Sequence, residues 1–159
     1  REGRGLARLV PVGGEPVADL RVRHAQLTGI DVDPAIAPAM IDEFPVLFVG
    51  AALANGTIRT TGLEELRVKE SDRLATMAAA LTLAGARVEE HEDGLTIHGT
   101  GGEPLPGTPE GAQIATRLDH RIAMSMAVAG LVSRDGVSVD DTSPINTSFP
   151  TFMGLLAEA

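Results

Sequence analysis

The chain has no cysteine, no tryptophan and no tyrosine, and only four phenylalanines in 159 residues. Without cysteine there is no disulfide, no thiolate nucleophile and no thiolate zinc site. Without Trp and Tyr the core must be built from Ala, Val, Leu, Ile and Met. Two of the best base-stacking side chains are also missing, which argues against single-stranded nucleic acid as a partner. Positive charge is scarce as well: 13 Lys and Arg face 22 Asp and Glu, for a net charge of −9. A field of that sign disfavours nucleic acid and anionic membranes, but a small anionic ligand responds to local cations. No apolar run reads as long enough to span a bilayer, and no signal-peptide pattern opens the chain. A soluble cytoplasmic protein is the expectation. Arg1-Glu-Gly-Arg-Gly-Leu-Ala-Arg8 has neither a starting Met nor a targeting pattern, as expected of a chain that begins partway through a longer protein or carries appended residues.

Hydrophobic residues make up 43% of the chain, enough for one domain with a real core. Leu20-Arg-Val-Arg-His24 alternates apolar and polar residues and predicts a half-buried strand; Leu27 to Val32 predicts a second. Pro34 and Pro38 predict a loop. Phe44 to Ala54 is apolar on all sides, tolerates Pro45 in its first turn and stops at Asn55-Gly56, the pattern of a buried helix. Thr57 to Thr61 is β-branched and short, a strand. Leu74, Met77, Ala78 and Leu81 fall at helical spacing and predict an amphipathic helix from about Asp72 to Ala84, closed by Gly85. Arg87 to His91 and Leu95 to His98 flank Glu92-Asp-Gly94, a hairpin signal. Gly99 to Gly111 reads as loop, Ile122 to Val132 as an apolar helix, Val137 to Asp140 as a strand and Phe149 to Ala157 as a terminal helix. A faint repeat relates an apolar helix ending at Gly56 to one ending at Gly136, an offset of 80 residues (136 − 56). The expected class is α/β (α+β), with repeated units packing helices on one side of a sheet.

Two charged clusters stand directly before apolar helices. Lys69-Glu-Ser-Asp-Arg73 opens the amphipathic helix. Ser71 or Asp72 suits an N-cap, but Lys69 and Arg73 lie where the helix dipole opposes a cation. An anionic ligand would convert that cost into binding. Glu70, between two cations, is placed as a tuned acid or base. Asp119-His-Arg121 repeats the pattern, with Asp119 as a candidate cap and His120 as a structural donor or a proton relay. Asp42, before the first buried helix, is either an N-cap or a carboxylate aimed at a substrate hydroxyl. The remaining histidines, His24, His91 and His98, have no metal spacing, and Gly99-Thr-Gly-Gly lacks the helix that a phosphate loop needs. If the helices run side by side, their starts share one face holding at least three cations and two proton-transfer carboxylates. Such a set suits a doubly anionic substrate undergoing proton transfer and phosphate loss. It suits a metal poorly, since the carboxylates are outnumbered, and neither metal nor cofactor is expected.

Arg67-Val-Lys-Glu-Ser-Asp-Arg-Leu74 and Leu118-Asp-His-Arg-Ile-Ala-Met124 resemble the two C-terminal signatures of the 5-enolpyruvylshikimate-3-phosphate synthases, or 3-phosphoshikimate 1-carboxyvinyltransferases. Ala18-Asp-Leu-Arg-Val22, Met40-Ile-Asp-Glu-Phe-Pro45, Gly62-Leu-Glu-Glu-Leu66 and Thr147-Ser-Phe-Pro150 resemble the bacterial class II branch, and the likeness runs from about Val17 to the C-terminus. It implies attack of the 5-hydroxyl of shikimate 3-phosphate on C2 of phosphoenolpyruvate, protonation of C3, then loss of phosphate and a proton. By the same resemblance Asp42 and Glu70 are catalytic, as base at the hydroxyl and as proton donor and acceptor at C3. Lys69 lies near the hydroxyl and phosphoryl groups, and Arg73 and Arg121 clamp phosphoenolpyruvate. His120 and Thr147 are further candidates.

The resemblance also implies a fold of two similar domains made of βαβαββ units, each an inverse α/β barrel-like body, with the site in the cleft between them. Residues 1–159 match about two units of the C-terminal domain, and the N-terminal domain is the implied partner. Thr147 replaces a lysine found in many members. Glu65 stands where others place an Asn on the substrate phosphate, and no role is carried over to it. The competing readings are a non-catalytic structural fragment and a relative acting on UDP-N-acetylglucosamine; the two signatures favour shikimate.

Overall fold

Two apolar helices lie against a small sheet and a third packs on those helices, each close to where the apolar pattern predicts it. The computed structural model describes residues 8–12, 15–19 and 21–158. In chain order the elements are β1 (Arg8–Val12), β2 (Glu15–Asp19), α1 (Ala37–Met40), α2 (Phe44–Leu53), β3 (Thr57–Arg59), α3 (Arg73–Leu83), β4 (Arg87–His91), β5 (Gly94–His98), α4 (His120–Leu131), α5 (Ile145–Ser148) and α6 (Phe152–Ala157). Short 3₁₀ turns cover Pro34–Ile36, Ile41–Glu43 and Glu64–Val68.

The sheet order is β3-β5-β4, all antiparallel, with Ile97 opposite both Ile58 and Val88. β5 is the buried centre, and β4 lies largely in solvent. Thr28 and Asp31 pair in parallel with Asn55 and Arg59, so the segment predicted as a strand from Leu27 to Val32 flanks β3 through isolated bridges. Its approach is close: a Cβ on Gly29 would lie 2.4 Å from the Thr57 carbonyl oxygen. The helices supply the rest of the core. Phe44 and Phe48 of α2, Leu74, Met77 and Leu81 of α3, and Ile122 and Met126 of α4 are buried with Leu95 and Ile97. The α+β class follows from this arrangement.

Several expectations need correction. Leu20 lies outside the described residues, and residues 21–24 are exposed without regular structure, with Val22 at 90% exposure. Alternation alone makes no strand where no partner strand lies alongside. β1 and β2 instead form an unanticipated hairpin, its β-signal weakened by Pro11 and Pro16, which face each other in the ladder. Val137 to Asp140 is reduced to a single parallel bridge, Ile114 to Val139. The internal repeat is nevertheless visible there, since Val139 lies 80 residues (139 − 59) beyond Arg59, the residue in the corresponding parallel bridge. The terminal helix predicted from Phe149 starts only at Phe152, and a separate short helix, α5, precedes Phe149.

Pro34 to Leu53 is not a plain loop followed by a helix. Its helical turns run on for 20 residues at mean hydropathy 1.6, long and apolar enough by length and composition to cross a bilayer. That overturns the reading that no run is long enough. Pro34, Pro38 and Pro45 break the run into short pieces, and it carries Asp42 and Glu43. Its α2 portion packs against α3, α4 and β5, as a core helix does.

Candidate functional site

The starts of α2, α3 and α4 converge on one side chain. Arg73 is the first residue of α3, and its side chain is 1% exposed. Its Nε donates to Asp119 Oδ2 at 2.8 Å, Nη1 to Asp42 Oδ1 at 2.9 Å, and Nη2 to Glu70 Oε2 at 2.5 Å and Asp119 Oδ1 at 3.4 Å. A planar guanidinium fork makes this possible, because its five N–H groups point in fixed directions.

Asp42 reaches Arg73 because the 3₁₀ turn at Ile41–Glu43 carries it off the axis of α2. Glu43 holds the N-cap position, and neither side chain caps the helix. The N-cap reading of Asp42 is therefore excluded. Its Oδ1 also lies 3.8 Å from Lys69 Nζ, and its carbonyl oxygen accepts from Arg121 Nη1 at 2.7 Å. Arg121 Nη1 also donates to Glu43 Oε1 at 3.1 Å.

Asp119, fully buried, joins two jobs. It caps α4 by accepting the Arg121 backbone N–H at 2.9 Å, and it receives Ser71 Oγ at 2.9 Å in addition to Arg73. Burial alone would raise its pKa. The Arg73 hydrogen bond and charge, the Ser71 hydroxyl and the Arg121 N–H outweigh that and hold Asp119 below the ordinary aspartate range. Burial would likewise lower the Arg73 pKa, but Asp119, Glu70 and Asp42 reverse it, and the guanidinium is held above its usual value. The residues before Asp119 are bent to deliver it. Arg117 and Leu118 take consecutive left-handed conformations, φ 56 and 59, although neither is glycine. Each such residue costs about 1–3 kcal/mol and persists only where its surroundings enforce it.

A second fastening holds the Arg67–Arg73 segment. Asp72 caps α3 by accepting from Ala75 N at 3.0 Å and takes Arg67 Nη1 at 2.8 Å. Arg67 reaches on to the β4–β5 hairpin, donating to the carbonyls of His91 and Glu92 and to Glu90 Oε1 at 3.0 Å.

Of the residues singled out from the sequence, Asp42, Lys69, Glu70, Arg73 and Arg121 thus gather around one centre. The premise attached to Arg73 does not hold. Three carboxylates compensate its charge at the helix start, so no ligand is needed to explain it. The expected excess of cations is also reversed. Asp42, Glu43, Glu65, Glu70 and Asp119 make five carboxylates around the three cations Lys69, Arg73 and Arg121. Among the described residues no group of His, Asp and Glu has the arrangement to hold a metal ion.

His120 lines an open cavity of about 330 Å³ with Asp42, Arg121, Val46, Met124 and Phe149. Thr147 does not line it and donates its hydroxyl to the Pro144 carbonyl at 2.8 Å. Glu70, Ser71 and Asp72 line a second open cavity of about 680 Å³ together with Gln113, Ile114 and Arg117. Sequence reasoning gave Asp119 only a capping role, gave Arg67 none beyond its motif and offered Ser71 only as an alternative to Asp72 for the N-cap. Their long-range partners are 46, 23 and 48 residues away, and local pattern carries no signal for that.

Two carboxylates bridged by a buried guanidinium thus stand beside the starts of three helices in an α+β scaffold. The wider likeness is specific: the profile of the EPSP synthase (3-phosphoshikimate 1-carboxyvinyltransferase) family matches residues 7–156, and the chain belongs to that family. A 3-phosphoshikimate 1-carboxyvinyltransferase of Novosphingobium aromaticivorans is 74% identical over 148 residues, covering 93% of this chain and 34% of the relative. One from Sphingopyxis alaskensis is 68% identical over 146 residues, covering 92% and 32%. The solved EPSP synthase from Acinetobacter baumannii superposes with a TM-score of 0.87 at 40% identity, covering 96% of this chain and 36% of that one. The chain spans about a third of the length of the relatives it matches.

Proposed function

We propose that this chain is the C-terminal part of an enzyme that transfers the enolpyruvyl group of phosphoenolpyruvate to the 5-hydroxyl of shikimate 3-phosphate, releasing phosphate. The observation that carries the reading is the bridge between Asp42 and Glu70. One Arg73 guanidinium contacts both, at 2.9 and 2.5 Å, with Lys69 and Arg121 beside Asp42. In this reading Asp42 accepts the proton of the attacking hydroxyl, while Glu70 protonates C3 of phosphoenolpyruvate and then takes a proton back as phosphate leaves. Lys69 neutralises the phosphoryl charge near the hydroxyl. Arg121 and Arg73 hold phosphoenolpyruvate, Arg73 by exchanging a carboxylate contact for the ligand. Fixed cations of this kind stabilise charge developing in the transition state without reorganisation.

The same reading makes residues 1–159 about two βαβαββ units of a C-terminal domain and assigns the remaining substrate contacts to an N-terminal domain. With five carboxylates on three cations, two anionic substrates need further positive charge from outside this chain. A cytoplasmic location belongs to the proposal as well.

The test is Glu70→Gln in the full-length protein, assayed for phosphate release with both substrates. Glu70 is half exposed, so the fold survives the change. General acid–base catalysis is worth about 10²–10⁴-fold, and turnover should fall by that amount with KM little changed. A variant within a few-fold of wild type would rule out proton transfer by Glu70. No phosphate release by the unaltered full-length protein would refute the reaction.

A further inference from the structure

The three cations of the site are not held alike. Arg73 is fixed by the fully buried Asp119, and Arg121 by the main-chain carbonyl of Asp42. Neither acceptor can move aside without moving the fold. Lys69 makes one side-chain hydrogen bond among the described residues, to Glu65 Oε1 at 2.5 Å, and Glu65 is a 59% exposed side chain on the Glu64–Val68 turn. Asp42 Oδ1, 3.8 Å from Lys69 Nζ, is within ion-pair range but beyond a hydrogen bond. Lys69 is therefore the one of the three cations with no buried or main-chain acceptor among the described residues. A carboxylate monoanion in solvent is a weak competitor for an ammonium when a phosphoryl dianion arrives.

We propose that Glu65 is a positioning residue that holds the Lys69 ammonium beside Asp42 in the ligand-free site and competes with an incoming phosphoryl group for it, so that Glu65 sets the affinity of the site for phosphorylated ligands. This rests on the proposed function for the identity of those ligands, but not for the competition itself. When Lys69 passes to the phosphoryl group, Glu65 is left unpaired next to a new negative charge, and each binding event bears that cost. The contact also explains why an acidic residue is tolerated beside an anion site. Paired with Lys69, Glu65 keeps the ammonium near Asp42 and raises its pKa above the ordinary lysine value, first through this hydrogen bond.

The experiment is a double-mutant cycle on the full-length protein, with inorganic phosphate as the probe and calorimetric titration as the readout. Glu65→Gln, with Glu65→Asn as its replacement should the first misfold, removes the competing charge and keeps a polar side chain. Lys69→Met removes the contested group. Phosphate should bind more weakly to Lys69→Met than to wild type. Glu65→Gln should tighten binding about two- to fivefold, the fold-change matching an exposed ion pair, and should change nothing in the Lys69→Met background. Three results would overturn the assignment: no tightening in Glu65→Gln, the same tightening with Lys69 absent (repulsion through space rather than competition), or no contribution of Lys69 to phosphate binding. Because no turnover is read, a full-length protein that passes this test yet transfers no enolpyruvyl group would refute the proposed function and leave the role of Glu65 standing.

Discussion

Arg73 and Asp119 form a buried ion pair, Nε to Oδ2 at 2.8 Å, with side chains 1% and 0% exposed. The pair ties the first turn of α3 to the cap of α4 across 46 residues of sequence. Removing Arg73 leaves Asp119 charged and dry, and removing Asp119 leaves the buried Arg73 only the partly exposed carboxylates Asp42 and Glu70. Arg73→Met and Asp119→Ala should each destabilise the protein by about 3–5 kcal/mol, the usual result of breaking a buried pair from one side. Arg73→Met combined with Asp119→Leu should recover part of that loss, because no buried charge is left without its partner. Urea denaturation of the three variants measures it. Equal losses for single and double variants would mean that the pair is not coupled.

The same pair gives stability a pH dependence of defined sign. Asp119 is held below the ordinary aspartate range when folded, so the unfolded chain binds its proton first as pH falls. The contribution is complete above the unfolded value, about 3.9, and is lost as pH drops from there through the lower folded value. Stability measured between pH 7 and pH 2 should fall steeply at the acid end. Asp119→Asn should be less stable at neutral pH and flatter below pH 4.

Leu118 sits at φ 59 with its side chain 71% exposed, so burial does little to offset its conformation. Leu118→Gly should raise stability by about 1 kcal/mol, the left-handed penalty of a residue with a Cβ, read as a higher urea midpoint at unchanged slope. A loss of stability would show that the exposed side chain makes a contact that outweighs the strain.

Arg121→Lys separates charge from geometry. The guanidinium reaches the Asp42 carbonyl and Glu43 from the first turn of α4, and its side chain is 29% exposed. Lysine keeps the charge but cannot form a planar fork. In the full-length protein the proposed function then requires the KM for phosphoenolpyruvate to rise about 10-fold or more, matching the loss of a charge-assisted contact of about 1.5–3 kcal/mol, while Tm moves little. A large fall in Tm with KM unchanged would make Arg121 a purely structural residue.

Much of this protein was legible in its sequence. Apolar runs placed α2, α3 and α4 to within about two residues, since helical periodicity is a local property. Asp93-Gly94 located the β4–β5 hairpin, and the two charged signatures named the family and picked out side chains that the structure brings together. Strands fared worse. Leu27 to Val32 and Val137 to Asp140 carry strand-like composition, but a strand exists only where neighbours complete its hydrogen bonds, and here each finds only isolated bridges. The sequence by itself therefore determined which segments are helical, which residues carry charge at helix starts, and which family the signatures resemble. Tertiary structure alone decided what those charges do. Asp42 leaves its helix end for Arg73, Asp119 serves as both cap and buried counter-ion, and five carboxylates surround three cations. The reason is physical: hydrogen bonds and ion pairs depend on distances between residues far apart in the chain, which residue order does not encode locally and packing of the three helices fixes.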